Sequence, residues 1–150
     1  MTRQAMNAAL RDRFVPALRK RGFKGSLPHF RRVGEDRIDL LTVQFDKWGG
    51  GFVIEISRCP LEGFTTAWGK KIPPAKVTAH DLHPDERHLL GSPAPGEDGR
   101  WFRYDGRKSV ETVAKAAASM LPEADAWWDS SNGKTVGRPP RAAPTKRSAR

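Results

Sequence analysis

Two neighbouring β-type runs constrain the fold of this chain more than any other feature of its sequence. Residues 37–45 carry apolar side chains on both faces of an extended chain, which is typical of a central strand. Residues 52–57 alternate, with Glu55 on the polar face, and therefore predict a half-buried antiparallel strand. The glycine-rich segment 46–51 joins the two strands, so we interpret it as a hairpin; a phosphate-binding loop would instead lead into a helix.

Further segments extend this sheet. Residues 29–33 have the composition of a strand that turns back into residues 37–45. The aromatic stretch 101–104 predicts a short edge strand. Between them, residues 60–99 are rich in Gly, Pro and charged residues, so we expect a long irregular excursion with one short helical turn at residues 85–90.

Amphipathic helices are predicted near both ends of the chain. Apolar residues recur at every fourth position of the first: Met6, Leu10, Phe14 and Leu18. We expect Pro16 to bend this helix and Gly22 to follow its end. Towards the C-terminus, Ser109 is expected to cap a second helix, and Pro122 to separate it from a last short one.

These elements predict an α+β fold class, with an antiparallel sheet of about four strands packed against N-terminal and C-terminal helices. A chain of 150 residues has room for one domain of ordinary size, which we assign to residues 1–130. Apolar periodicity ends there, so residues 131–150 are predicted to form a disordered basic C-terminal tail.

Positive charge is concentrated in that tail. Of the net charge of +10, the tail contributes six basic and no acidic residues, while 21 basic and 17 acidic residues elsewhere leave +4. Residues 3–37 add a basic N-terminal stretch. Such a field attracts polyanions without reading their sequence. The candidate nucleic-acid-binding residues are basic residues of the tail: Arg138, Arg141, Lys146, Arg147 and Arg150.

One short motif in the tail is similar to the core of an AT-hook. Gly137-Arg138-Pro139 would lie in a narrow minor groove in such a motif. Val136 and Pro140 depart from the hook pattern on either side. We therefore favour non-specific attraction to polyanions over specific binding to the minor groove.

The single cysteine, Cys59, excludes an internal disulfide. No apolar run has the length of a signal peptide or a membrane span, so we expect a cytoplasmic protein without a membrane partner. Cys59 could act as a nucleophile, but no catalytic sequence pattern surrounds it. A small buried apolar residue is the better interpretation.

Three histidines with acidic residues among them form a candidate metal or acid–base site: His80, His83 and His88. Their spacing matches no zinc signature, and the segment is rich in proline. We therefore favour a solvated loop with helix-capping acids, expect no metal or other cofactor, and assign no catalytic residue. The five tryptophans could stack on bases, but we expect them to fill the core.

An ordered set of short motifs resembles a known family. They include the run Phe14-Val-Pro-Ala-Leu-Arg-Lys-Arg-Gly-Phe-Lys-Gly, then Val43-Gln-Phe-Asp-Lys-Trp-Gly-Gly-Gly, then Phe52-Val-Ile-Glu-Ile and Arg87-His-Leu-Leu-Gly. Over residues 6–129 the chain is similar to the bacterial family of domain of unknown function 4304. The family often has Lys and Ser at the positions of Phe45 and Asp46. The resemblance implies an α+β body and brings no catalytic residues with it.

Three functional hypotheses remain open. The first is a non-enzymatic binding or immunity-type module that recognises another macromolecule, motivated by the lack of a convincing catalytic set. The second is a nucleic-acid-associated protein that uses the basic tail and the basic N-terminal helix. The third is a hydrolase-like enzyme that uses His80, His83 or His88, which requires these side chains to converge in one pocket.

Overall fold

The two β-type runs form the central strands of an antiparallel sheet in the computed structural model, which describes residues 2–91 and 101–132. Strand β3 spans Ile38–Phe45 and strand β4 spans Gly51–Cys59, and they pair along their whole length. Nearly every residue of both strands is buried. The prediction of a half-buried β4 is therefore wrong, because its polar face is also covered.

The remaining strands are short and lie on either side of this pair. On the β3 side follow β2 (His29–Val33) and β1 (Lys24–Ser26). On the other side, β7 (His88–Leu89) and β8 (Phe102–Arg103) both pair with β4. The α+β class is confirmed. Within the described ranges the sheet has six strands, and the prediction of about four missed β1 and β7, which are too short to show a sequence pattern. Strands β5 (Phe64–Thr65) and β6 (Lys71–Ile72) form a separate pair.

Helices cover one face of the sheet. Helix α1 (Arg3–Arg13) ends at Phe14 and α2 (Val15–Lys20) follows directly, because Pro16 lacks the amide hydrogen that would continue the helix. The Arg3 guanidinium carbon lies 4.5 Å from the centre of the Phe45 ring, which places the start of α1 over that strand. Helix α3 (Val110–Ala118) packs beside α1 and begins as predicted at Ser109, whose side chain accepts a hydrogen bond from the Thr112 amide.

The excursion after β4 covers the opposite face. It contains two short 3₁₀ helices, η1 (Ala79–Asp81) and η2 (Pro84–Glu86). The helical turn expected at residues 85–90 is thus confined to η2, and the chain then enters β7. Side chains from the excursion and the sheet share one apolar cluster: Ile38, Leu40, Cys59, Val77, Ala79 and Leu82. Residues 60–91 are largely irregular, as predicted, yet they close the core, and residues 92–99 of the predicted excursion lie outside the described residues.

The chain divides into two compact units, Met1–Met120 and Leu121–Arg150. The second contains helix α4 (Leu121–Asn132), whose buried residues Leu121, Ala124 and Trp128 share one helical face. The proposed boundary between residues 130 and 131 stays a prediction, and residues 133–150 lie outside the described part of the chain. Among the described residues, no helix is long and apolar enough to cross a membrane.

Candidate functional site

A row of polar side chains crosses the sheet on the face that the excursion covers. The register places Thr42 opposite both His29 of β2 and Glu55 of β4. Residues directly opposite each other in an antiparallel pair point to the same face, so the three side chains lie in line. Nδ1 of His29 lies 3.0 Å from Oγ1 of Thr42. The sheet therefore carries a polar row that runs from the exposed His29 to the buried Thr42 and Glu55.

Glu55 is the buried charge of this row, and two side chains of the excursion compensate it. Nη1 of Arg87 donates to Oε2 at 2.8 Å, and Nδ1 of His80 lies 3.1 Å from Oε1. The side chain of Glu55 is only 9% exposed. A carboxylate buried to this degree requires such partners, because burying an unpaired charge costs several kcal/mol. The sequence signal for this buried charge was the position of Glu55 as the acidic residue in a strand with an alternating pattern.

A cleft of about 570 Å³ opens beside the polar row. Its lining includes cations, hydroxyl groups, imidazoles and one carboxylate: Arg3, His29, Thr42, Lys76, Thr78, His80 and Asp81. Asp81 is already engaged, since its Oδ2 accepts from the amide and the hydroxyl of Thr78 at 2.8 and 3.2 Å. The His80 side chain is 57% exposed, so its ring is accessible from the cleft.

Burial lowers the pKa of His29 below its ordinary value of 6.5. The nearby carboxylate of Asp81 opposes this shift, whereas the charges of His80 and Arg31 add to it. The neutral imidazole is therefore favoured in the folded protein.

The structure does not bring the three candidate histidines together. His80 contacts Glu55 and Arg87, whereas the ring of His83 packs edge-on against Phe64 with centroids 5.4 Å apart. His88 lies opposite Ile56 in β7, on the other face of the sheet from Glu55. In residues 2–91 and 101–132, no group of three or more His, Cys, Asp or Glu residues could hold a metal ion.

Cys59 is a small buried residue, as interpreted from the sequence. It is 4% exposed within the apolar cluster beneath the excursion. Burial raises the pKa of its thiol to about 11, so the thiol is protonated at neutral pH. The surroundings thus disfavour the thiolate that a nucleophile requires.

The expectation that the tryptophans fill the core is wrong for three of the five. Trp128 is buried, but Trp48, Trp68 and Trp101 are 84%, 77% and 38% exposed. Trp48 lies in the turn between β3 and β4, and Trp68 in the turn between β5 and β6. Turn geometry, which places their side chains outward, prevails here over the general tendency to bury indole rings.

The turn that carries Trp48 is closed by its own hydrogen bonds. The amide of Gly49 donates to the carbonyl of Asp46 at 2.9 Å, and the amide of Trp48 donates to Oδ1 of Asp46 at 3.0 Å. Gly49 has a φ of +90°, which suits glycine and strains other residues. Trp48 is therefore presented on a defined backbone.

The turn that carries Trp68 has the same form. The amide of Gly69 donates to the carbonyl of Thr66 at 2.9 Å, and φ of Gly69 is +88°. Here Oγ1 of Thr66 accepts from the amide of Lys70 at 2.9 Å. The Trp-Gly dipeptide that both turns share was the sequence signal for these two exposed rings.

Trp48 belongs to a surface that we call the hairpin surface, formed by Asp46, Lys47, Trp48, Trp101 and Arg103. Nζ of Lys47 lies 5.2 Å from the centre of the Trp48 ring, and the guanidinium carbon of Arg103 lies 5.2 Å from that of Trp101. Nη1 of Arg103 is 3.7 Å from Oδ2 of Asp46. The surface thus combines two aromatic rings with two cations and one carboxylate.

The five candidate nucleic-acid-binding residues lie outside the described residues: Arg138, Arg141, Lys146, Arg147 and Arg150. Comparisons with curated proteins and with solved structures find no match. A family model, Domain of unknown function (DUF4304), matches residues 14–135. It covers most of the helices and strands described above, and the chain therefore belongs to the DUF4304 family.

Proposed function

We propose that this protein is a non-enzymatic binding module that recognises another protein through the hairpin surface. The observation that carries the proposal is Trp48, whose side chain is 84% exposed at the end of a closed turn. A large apolar ring in contact with water gains free energy when a partner covers it. Burying about 200 Å² of indole corresponds to about 5 kcal/mol of transfer free energy.

The turn reduces the entropy cost of such binding. Because Asp46 and Gly49 fix the backbone of the turn, only the two side-chain torsions of Trp48 remain to be ordered. Tryptophan is enriched among the residues that dominate binding energy in protein interfaces. Removing an anchor of this kind typically costs about 2 kcal/mol or more.

The charges of the hairpin surface favour a protein partner. Lys47 and Arg103 are cations, and the carboxylate of Asp46 lies beside Arg103. A protein surface that also carries both signs of charge can complement this arrangement.

Trp68 provides a matched control for a capture experiment. Immobilised full-length protein and the variants Trp48→Ala and Trp68→Ala are each incubated with nuclease-treated bacterial lysate. We expect a protein partner that the wild type and Trp68→Ala retain, and that Trp48→Ala loses. A partner retained equally by both variants, or one released by nuclease, would contradict the proposal.

A nucleic-acid-associated role is the second candidate, and the charge of +6 on residues 131–150 supports it. Binding to DNA should then weaken steeply as the salt concentration rises. It should also be weaker for a chain that ends at Asn132 than for the full chain. Fluorescence anisotropy of a labelled duplex over a range of salt concentrations measures both effects. Equal affinity of the two chains for DNA would show that the tail does not contribute to this binding.

A further inference from the structure

We propose that the cleft beside the His29–Thr42–Glu55 row binds a small organic molecule through an anionic oxygen head group, a phosphate or a carboxylate. The cleft includes none of the residues of the hairpin surface, so this inference goes beyond the proposed function.

The fixed charges of the cleft favour an anion. Arg3 and Lys76 contribute two positive charges and Asp81 one negative charge, which leaves +1 before either histidine is protonated. Oδ2 of Asp81 already accepts two hydrogen bonds from Thr78, so part of the hydrogen-bonding capacity of this carboxylate is used within the protein. A concave site of net positive charge concentrates anions near it.

Hydrogen-bond donors are available for the head group. The rings of His29 and His80 both use Nδ1 for their contacts with Thr42 and Glu55, which leaves Nε2 as the nitrogen that can face a ligand. Arg3 lies over the Phe45 ring at the rim of the cleft, where its guanidinium can bind two oxygens at once.

The size of the cleft indicates an organic body attached to the head group. Its volume of about 570 Å³ falls within the range of small-molecule sites, about 300–1,000 Å³. Pro28, Val43 and Phe45 supply apolar lining for such a body. A lone inorganic ion would leave most of this space to water.

Pyrophosphate and citrate serve as probes in a titration monitored by ¹⁵N–¹H correlation spectra at constant ionic strength. We expect saturable shifts centred on the amides of Thr42, Gln44 and Thr78. Tighter binding of pyrophosphate would identify a phosphate head group, and tighter binding of citrate a carboxylate. Lys76→Ala and Arg3→Ala should each weaken the binding about tenfold, the effect of losing one charged hydrogen bond.

Lys71→Ala is the matched control, because Lys71 is exposed in β6 and does not line the cleft. It changes the net charge by the same amount as Lys76→Ala and should leave the affinity unchanged. The proposal is overturned if neither probe gives saturable shifts, or if Lys71→Ala weakens binding as much as Lys76→Ala. Trp48→Ala should keep the probe affinity, so this test is separate from that of the hairpin surface.

Discussion

At the scale of the residue, stability at the centre of the sheet depends on how Glu55 is compensated. Its carboxylate is buried in β4, and its two partners come from a segment of the chain with little regular structure. Arg87 supplies a permanent charge, whereas His80 supplies one only when protonated. Arg87 therefore compensates the buried carboxylate whatever the protonation state of His80.

Arg87→Ala should lower the free energy of unfolding by about 3 kcal/mol, since it leaves a buried carboxylate without its cation. Urea denaturation at pH 7 measures this change. Arg103→Ala is the control, because the Arg103 side chain is 49% exposed and its pair with Asp46 is 3.7 Å long, so its loss should cost less than about 1 kcal/mol. Equal effects of the two variants on the free energy of unfolding would show that the Glu55–Arg87 pair contributes no more to stability than the Arg103–Asp46 pair.

His29 should make the stability depend on pH. Its pKa is below 6.5 in the folded state, so the unfolded chain binds more protons as the pH falls through 6.5. The stability that the neutral His29 ring contributes is present above pH 6.5 and is lost as the pH falls towards the pKa of the folded state.

The corresponding measurement is urea denaturation at pH 7.5 and pH 5.5 for the wild type and His29→Gln. The variant should lose less stability than the wild type between the two values, because its side chain does not titrate. His83→Gln controls for loss of a histidine elsewhere. An unchanged pH dependence in His29→Gln would contradict the assignment.

At the scale of the element, the excursion between β4 and β8 is the layer that seals the second face of the sheet. Its apolar side chains pack on Ile38, Leu40 and Cys59, although residues 60–91, the part of it that the structure describes, form only short strands and two 3₁₀ helices. An irregular segment can form such a layer when its backbone groups find partners, as when Ser57 donates to the carbonyl of Glu86 at 2.9 Å. We therefore regard the excursion as part of the core.

Leu82→Ala tests that role. Leu82 is buried in the shared cluster, so the cavity left by its truncation should lower the unfolding free energy by about 2–4 kcal/mol. Leu61→Ala, at a more exposed position of the same excursion, should change it by less than about 1 kcal/mol. If both variants unfold at the wild-type urea concentration, the excursion contributes little to stability.

At the scale of the whole molecule, the sequence predicts what depends on local pattern. The order of elements follows from the apolar periodicity of residues 6–18 and 37–57, and the cap at Ser109 from its position before a helix. The contacts of Glu55 could not be predicted, because Arg87 is 32 residues away and its approach depends on how the excursion folds back. Exposure of Trp48 was missed because it depends on turn geometry, which hydrophobicity does not encode.

The assignment of residues 131–150 as a tail outside the folded unit leads to a prediction for the complete chain. A chain ending at Asn132 should keep its unfolding free energy within about 0.5 kcal/mol, the usual effect of changes away from the core. Its net charge falls from +10 to +4, because residues 133–150 contain six basic and no acidic residues. Differential scanning calorimetry of both chains measures the effect on stability. A large loss would mean that the tail belongs to the folded unit.

The buried position of Cys59 makes its thiol a reporter of local opening of the excursion. The chain has one cysteine, and its thiol lies beneath the excursion, in the apolar cluster that also contains Val77 and Leu82. A thiol reagent can therefore react only when this layer lifts from the sheet. The rate of labelling in native buffer reports how often that opening occurs, and a ligand that holds the excursion in place would slow it.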